Sequence, residues 1–152
     1  MKRLLIASAA LIFSAALSAQ TNQEKFADHV KFKVEEHDFG KIKQGVPVTY
    51  DFAITNVGKT QVVIESATAT CGCTTPVKPE QPIAAGESNK ITAGFNAGAP
   101  GPFTKPITVK IAGVDETKVI TIKGEVLSAA DYDAYIKTKG SEKDKKDTKP
   151  NN

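Results

Sequence analysis

The sequence predicts an all-β sandwich of about seven short antiparallel strands, and three observations predict it. Apolar and polar side chains alternate over several runs in the middle of the chain, most plainly from Val48 to Asn56. Clusters of Gly, Pro and Asn punctuate those runs, at residues 56–59, 85–88, 98–102 and 113–116. Between residues 32 and 127 no segment carries the period of a long helix. The sandwich is immunoglobulin-like and occupies residues 32–127. There is no tryptophan, and the only two cysteines are two positions apart, so the inter-sheet bridge of an antibody domain is excluded.

Taken in order, Lys2 and Arg3 precede an apolar run from Leu4 to Leu17 that ends in Ala16, Ser18 and Ala19. This is the layout of a secretory signal peptide over residues 1–19, cut after Ala19 or Ser18. The run is too short and too rich in Ala and Ser to span a bilayer. The formal charge of +3 falls to +1 once Lys2 and Arg3 leave. A near-neutral chain without a basic stripe is not expected to bind nucleic acid. No second long apolar stretch occurs, so no membrane span is expected after signal removal. The expected location is exported, periplasmic or extracellular, where free thiols are the exception.

Residues 20–31 are polar and lack a sustained period, which predicts a linker; Phe26 and Val30 suit one helical turn, marginal alone. Phe32 to Glu35 and Phe39 to Ile42 together predict a short edge strand kinked at Gly40. Val48, Tyr50, Phe52 and Ile54 share one face of the clearest strand, and Thr49, Asp51, Ala53 and Thr55 the other. Gly58 is expected to take positive φ in a turn, closing an antiparallel hairpin with a strand that points Val62 and Ile64 inward. Pro76, Pro79 and Pro82 predict an extended, unpaired covering or binding loop over residues 74–88.

Ile91, Ala93 and Phe95 then point inward. Phe103, Lys105, Ile107, Val109 and Ile111 share the parity of the next strand, whose start Lys105 and Pro106 mark as unpaired or at an edge. Ile120, Ile122 and Val126 form the inner face of the last strand, with Gly124 at a bulge or a close approach of backbones. Residues 128–152 are expected to be a short helix, with Tyr132, Tyr135 and Ile136 on one side, followed by a disordered charged tail.

The candidate site is Cys71-Gly72-Cys73-Thr74. With Gly72 relaxing the backbone, Cys71 and Cys73 can close a tight, readily reduced ring. The alternatives are a structural disulfide or buried thiol pair, a thiol–disulfide exchange centre, and a metal site. Exchange wants a thiolate beside a cation or helix start, and Lys78 is the only cation close in sequence. Two thiolates suit Cu(I) or Zn(II), yet closed zinc sites take four ligands. The only histidines are His29, in the linker, and His37, expected at the surface or in a turn. Thr74 and Thr75 are expected to be turn residues, and Asp51 and Glu65 solvated charges. No phosphate loop, metalloprotease helix or serine elbow occurs, so neither an enzyme nor a cofactor is expected.

Strand Phe52 to Asn56, the Cys-Gly-Cys-Thr motif, Pro82-Ile83 with Gly86, Gly101 to Lys105 and Ile122 to Val126 together carry a resemblance. The chain resembles a bacterial exported family of unknown function with a Cys-Gly-Cys-Thr signature, related to abnormal-spindle and hydin-type immunoglobulin-like modules. The resemblance implies a seven-stranded immunoglobulin-like sandwich, an envelope or extracellular location and no defined activity. The function expected is an exported binding or structural module that engages another protein or an envelope component. The competing expectation is a thiol redox or metal-handling protein.

Overall fold

The computed structural model describes residues 24–147. The segment read as a signal peptide, 1–19, and the last five residues of the tail lie outside the described residues. Among the described residues the elements are α1 (Phe26–His29), β1 (Val30–Phe32), β2 (Glu36–Lys43), β3 (Val48–Asn56), β4 (Ile64–Ala69), β5 (Thr74–Val77), β6 (Ser88–Phe95), β7 (Gly101–Ile111), β8 (Thr117–Leu127) and α2 (Ala129–Asp147). Two four-stranded sheets face each other, ordered β1-β3-β6-β5 and β2-β8-β7-β4. The immunoglobulin-like sandwich is therefore observed, with eight strands instead of seven. All pairings are antiparallel except β2 with β8, which run parallel.

The alternation that predicts the strands also builds the core. Phe52, Ile54, Ile91, Ala93, Ile107, Val109, Ile120 and Ile122 are fully buried between the sheets. Each large aliphatic or aromatic side chain among them contributes about 1.5–3 kcal/mol through removal from water.

Several local expectations are corrected. Residues from Phe26 onward are not linker: Phe26 and Val30 are buried, and Glu116 Oε2 accepts a bond from the Phe26 amide at 2.7 Å. The single turn survives because tertiary burial supplies what one turn lacks. The segment read as one kinked edge strand is two strands in different sheets. β1 pairs with β3, and after residues 33–35 the chain switches to pair β2 with β8. The kink itself is present, since the register of β2 shifts between Asp38 and Lys41 around Gly40, whose φ is 64°.

The hairpin expected after β3 does not form. β3 pairs with β1 and β6, and residues 57–63 carry the chain to the other sheet, where β4 pairs with β7. Gly58 is not in the positive-φ region; a Cβ there would lie 3.3 Å from Asn56 Oδ1, so tight packing against that side chain is what uses the glycine. Residues 74–88 are not one loop either. β5 pairs with β6, Pro76 opposite Ala93, and Ile83 is buried. The Asn96 amide bonds the Cys73 carbonyl at 3.1 Å, so period two turns Thr75 and Val77 toward β6 and the nitrogen of Pro76 away from it. An edge strand tolerates proline in that orientation. β7 lies inside its sheet, but β4 ends opposite Ile107, leaving residues 101–106 open on that side.

Helix α2 runs to Asp147, well past Ile136, through lysines and Glu142, which are good helix formers, and in spite of Gly140 and the aspartates, which are not. Ser128 caps it: its hydroxyl accepts the Asp131 amide at 3.2 Å and bonds the Asp131 carboxylate at 2.6 Å.

Candidate functional site

The cysteine pair lies where the chain leaves one sheet for the other. β4 ends at Ala69, and Thr70 to Cys73 cross to β5 in the facing sheet. Cys71 and Cys73 are joined as a disulfide, with Cα atoms 5.4 Å apart. The Thr74 amide bonds the Cys71 carbonyl at 3.3 Å, and the Asn96 amide anchors Cys73. The corner is thus a turn tied to β6.

Gly72 is exposed, and a Cβ on it would meet nothing within 4 Å. Cys71 and Cys73 are half-buried, Cys73 lying against the core. Thr74 is only 4% exposed and sets its Oγ1 3.9 Å from each sulfur. The structure therefore brings together all four residues of the motif. It does not add a histidine or carboxylate to them, for no three metal-donor side chains cluster among the described residues.

His37 is not at a turn. It lies in β2, half-buried, stacked 3.6 Å from the Tyr50 ring and edge-on to Phe39 at 4.6 Å. Desolvation lowers its pKa, partly countered by the Asp38 charge. A neutral ring in the fold means the unfolded chain binds more protons in acid. The domain is expected to be most stable above the ordinary histidine range and to lose stability as pH falls through it. Urea titrations of wild type and His37→Gln between pH 7.5 and 5 check this: the wild type should lose more on acidification.

His29 bonds Glu24 at 3.2 Å, and its carbonyl accepts the Val57 and Gly58 amides. Asp51 and Glu65 have partners after all. Lys90 Nζ and Thr92 Oγ1 each reach Asp51 at 2.6 Å, and Lys110 reaches Glu65 at 3.1 Å. The hydrogen bond from Lys90 is the main cause of the lowered pKa of Asp51.

A second feature escapes sequence reasoning. β1 covers only Ile54 to Asn56 of β3, and the Lys33 amide reaches Ala53. The Ala53 carbonyl faces that side, so by period two the main-chain groups of Asp51 and Thr49 do as well. Among the described residues no hydrogen bond takes up these groups, and they form an open sheet edge. The sequence signal was the brevity of the alternation before residue 33.

Two facing sheets whose first strands, β1 and β2, are joined by a short switch between them, with a free edge beside it, define an immunoglobulin-like module. The chain belongs to the family described as protein of unknown function DUF1573, whose model matches residues 30–126. Among solved structures, it is similar to a protein of unknown function from Porphyromonas gingivalis W83 (17% identity, TM-score 0.56, 72% of this chain and 51% of that one). The chain thus spans about half the length of that structure. It is also similar to an ASH/PapD-like domain of human CEP192 (14% identity, TM-score 0.55, 67% and 87%). A family 123 glycoside hydrolase from Clostridium perfringens matches at 8% identity and TM-score 0.50, over 67% and 26% of the chains. These likenesses show the fold alone. A search of curated proteins finds no match.

Proposed function

We propose that the chain is an exported, non-catalytic module that binds another protein or envelope component by adding a strand to its open edge. The observation that carries this is the uncovered stretch of β3, where Thr49 and Asp51 present main-chain donors and acceptors. An incoming extended segment would take up those bonds, and half-buried Val48 and Tyr50 would meet its apolar side chains. Export is supported by the basic-apolar-small start of the chain and by the disulfide, which suits an oxidising compartment.

The test places a photo-crosslinking residue at position 49 in cells and identifies the adduct by mass spectrometry. Thr49→Pro is expected to abolish the adduct of a crosslinker at position 47 while leaving the fold intact, because its lost amide hydrogen faces away from β6. Equal crosslinking by the proline variant counts against strand addition, and turnover lost in Cys71→Ser counts against a non-catalytic role. Deleting residues 74–88 is not a usable control, since it removes β5 and the buried Ile83.

A further inference from the structure

Beyond partner binding, we propose that the Cys71–Cys73 corner is a redox-gated site for one copper(I) ion. The donor set selects the metal. Two sulfurs stand together with no third histidine, cysteine or carboxylate grouped with them among the described residues. Zinc in a closed site takes four ligands, whereas a soft monovalent ion is satisfied by two thiolates on opposite sides.

The surroundings fit that ion. The sulfurs belong to residues whose Cα atoms are 5.4 Å apart, flanking an exposed glycine with open space around it. Cys73 rests against the core and Cys71 does not, so the Cys71 sulfur is the one that swings away, and both cysteines are partly exposed, so an ion can enter. Thr74 Oγ1 lies 3.9 Å from each sulfur, and its hydroxyl is placed to donate a hydrogen bond to a thiolate once one forms. Burial of Thr74 beside the Cys73 anchor keeps that hydroxyl in position.

The disulfide is the gate. An exported dithiol reductant transfers two electrons and two protons to the bridge, becoming a disulfide itself and leaving Cys71 and Cys73 as thiols. Copper(I) then displaces both thiol protons, giving a bis-thiolate complex of net charge −1. No electron moves in that second step.

The experiment uses the full mature chain under anaerobic conditions, titrated with copper(I) against a chromophoric bicinchoninate competitor. Reduced protein is expected to take one ion per chain with a thiolate-to-copper charge-transfer band, and oxidised wild type none. The oxidised protein is the same sequence, so the control does not depend on a variant folding. Thr74→Val should weaken the site about tenfold. Equal uptake by reduced and oxidised protein, no uptake by either, or one-to-one zinc uptake that copper(I) does not displace would overturn the proposal.

Discussion

Asn56→Leu is expected to cost the domain about 1.5–4.5 kcal/mol, since it removes three hydrogen bonds worth about 0.5–1.5 kcal/mol each, while the Ile83 carbonyl keeps the Val62 amide and the Gly58 amide keeps the His29 carbonyl. Asn56 is fully buried at the end of β3, on the same parity as Phe52 and Ile54. Its Nδ2 donates to the Thr60 and Ile83 carbonyls, both at 2.8 Å, and its Oδ1 accepts the Gly58 amide at 2.9 Å. One side chain thus holds the turn that changes sheets and the segment around Ile83 that crosses beneath it. Leucine keeps the branched shape, is somewhat bulkier and supplies none of these bonds. The loss is a substantial share of a typical domain's stability of about 5–15 kcal/mol. Urea denaturation should show a lowered midpoint; a shift worth under about 1 kcal/mol would mean the three groups find water instead.

Gly124→Val is expected to be comparably damaging, at about 3 kcal/mol, the upper end of overpacking costs. A Cβ at Gly124 would stand 2.8 Å from the Gly40 carbonyl oxygen and 2.9 Å from Phe103 Cζ. Neither neighbour is free to yield. Gly40 sits in the β2 bulge, and Phe103 stacks 4.0 Å from Phe95 and lies 6.5 Å from Phe39. Gly124→Ala should fall between wild type and valine. Adding Phe103→Leu should recover part of the alanine loss, measured as a non-additive term in a double-mutant cycle. Strict additivity would show that Phe103 is not the obstacle.

The sequence made side-chain direction legible because a strand's parity is local. Val48 to Asn56 and Ile91 to Phe95 face inward as their alternation requires. Pairing was less legible, since which strands meet depends on where the chain travels between them. The turn after Asn56 looks like a hairpin, yet the buried Asn56 side chain and the Val62–Ile83 bridge take it to the other sheet. Pro76 looks hostile to a ladder until an edge position lets its nitrogen point outward. At the site, proximity in sequence was enough to bring Cys71, Gly72, Cys73 and Thr74 together. The open β3 edge was hidden because it is defined by where β1 stops, a property of a neighbour 20 residues away in the chain.

The parallel pairing of β2 with β8 has a kinetic consequence. Strand Glu36–Lys43 waits for Thr117–Leu127, so one sheet cannot close until nearly the whole domain has been synthesised. Contacts this distant carry a large loop-closure entropy and slow the search for the native state. A nascent chain emerging from its amino terminus would therefore complete this sheet only after its last strand has been released.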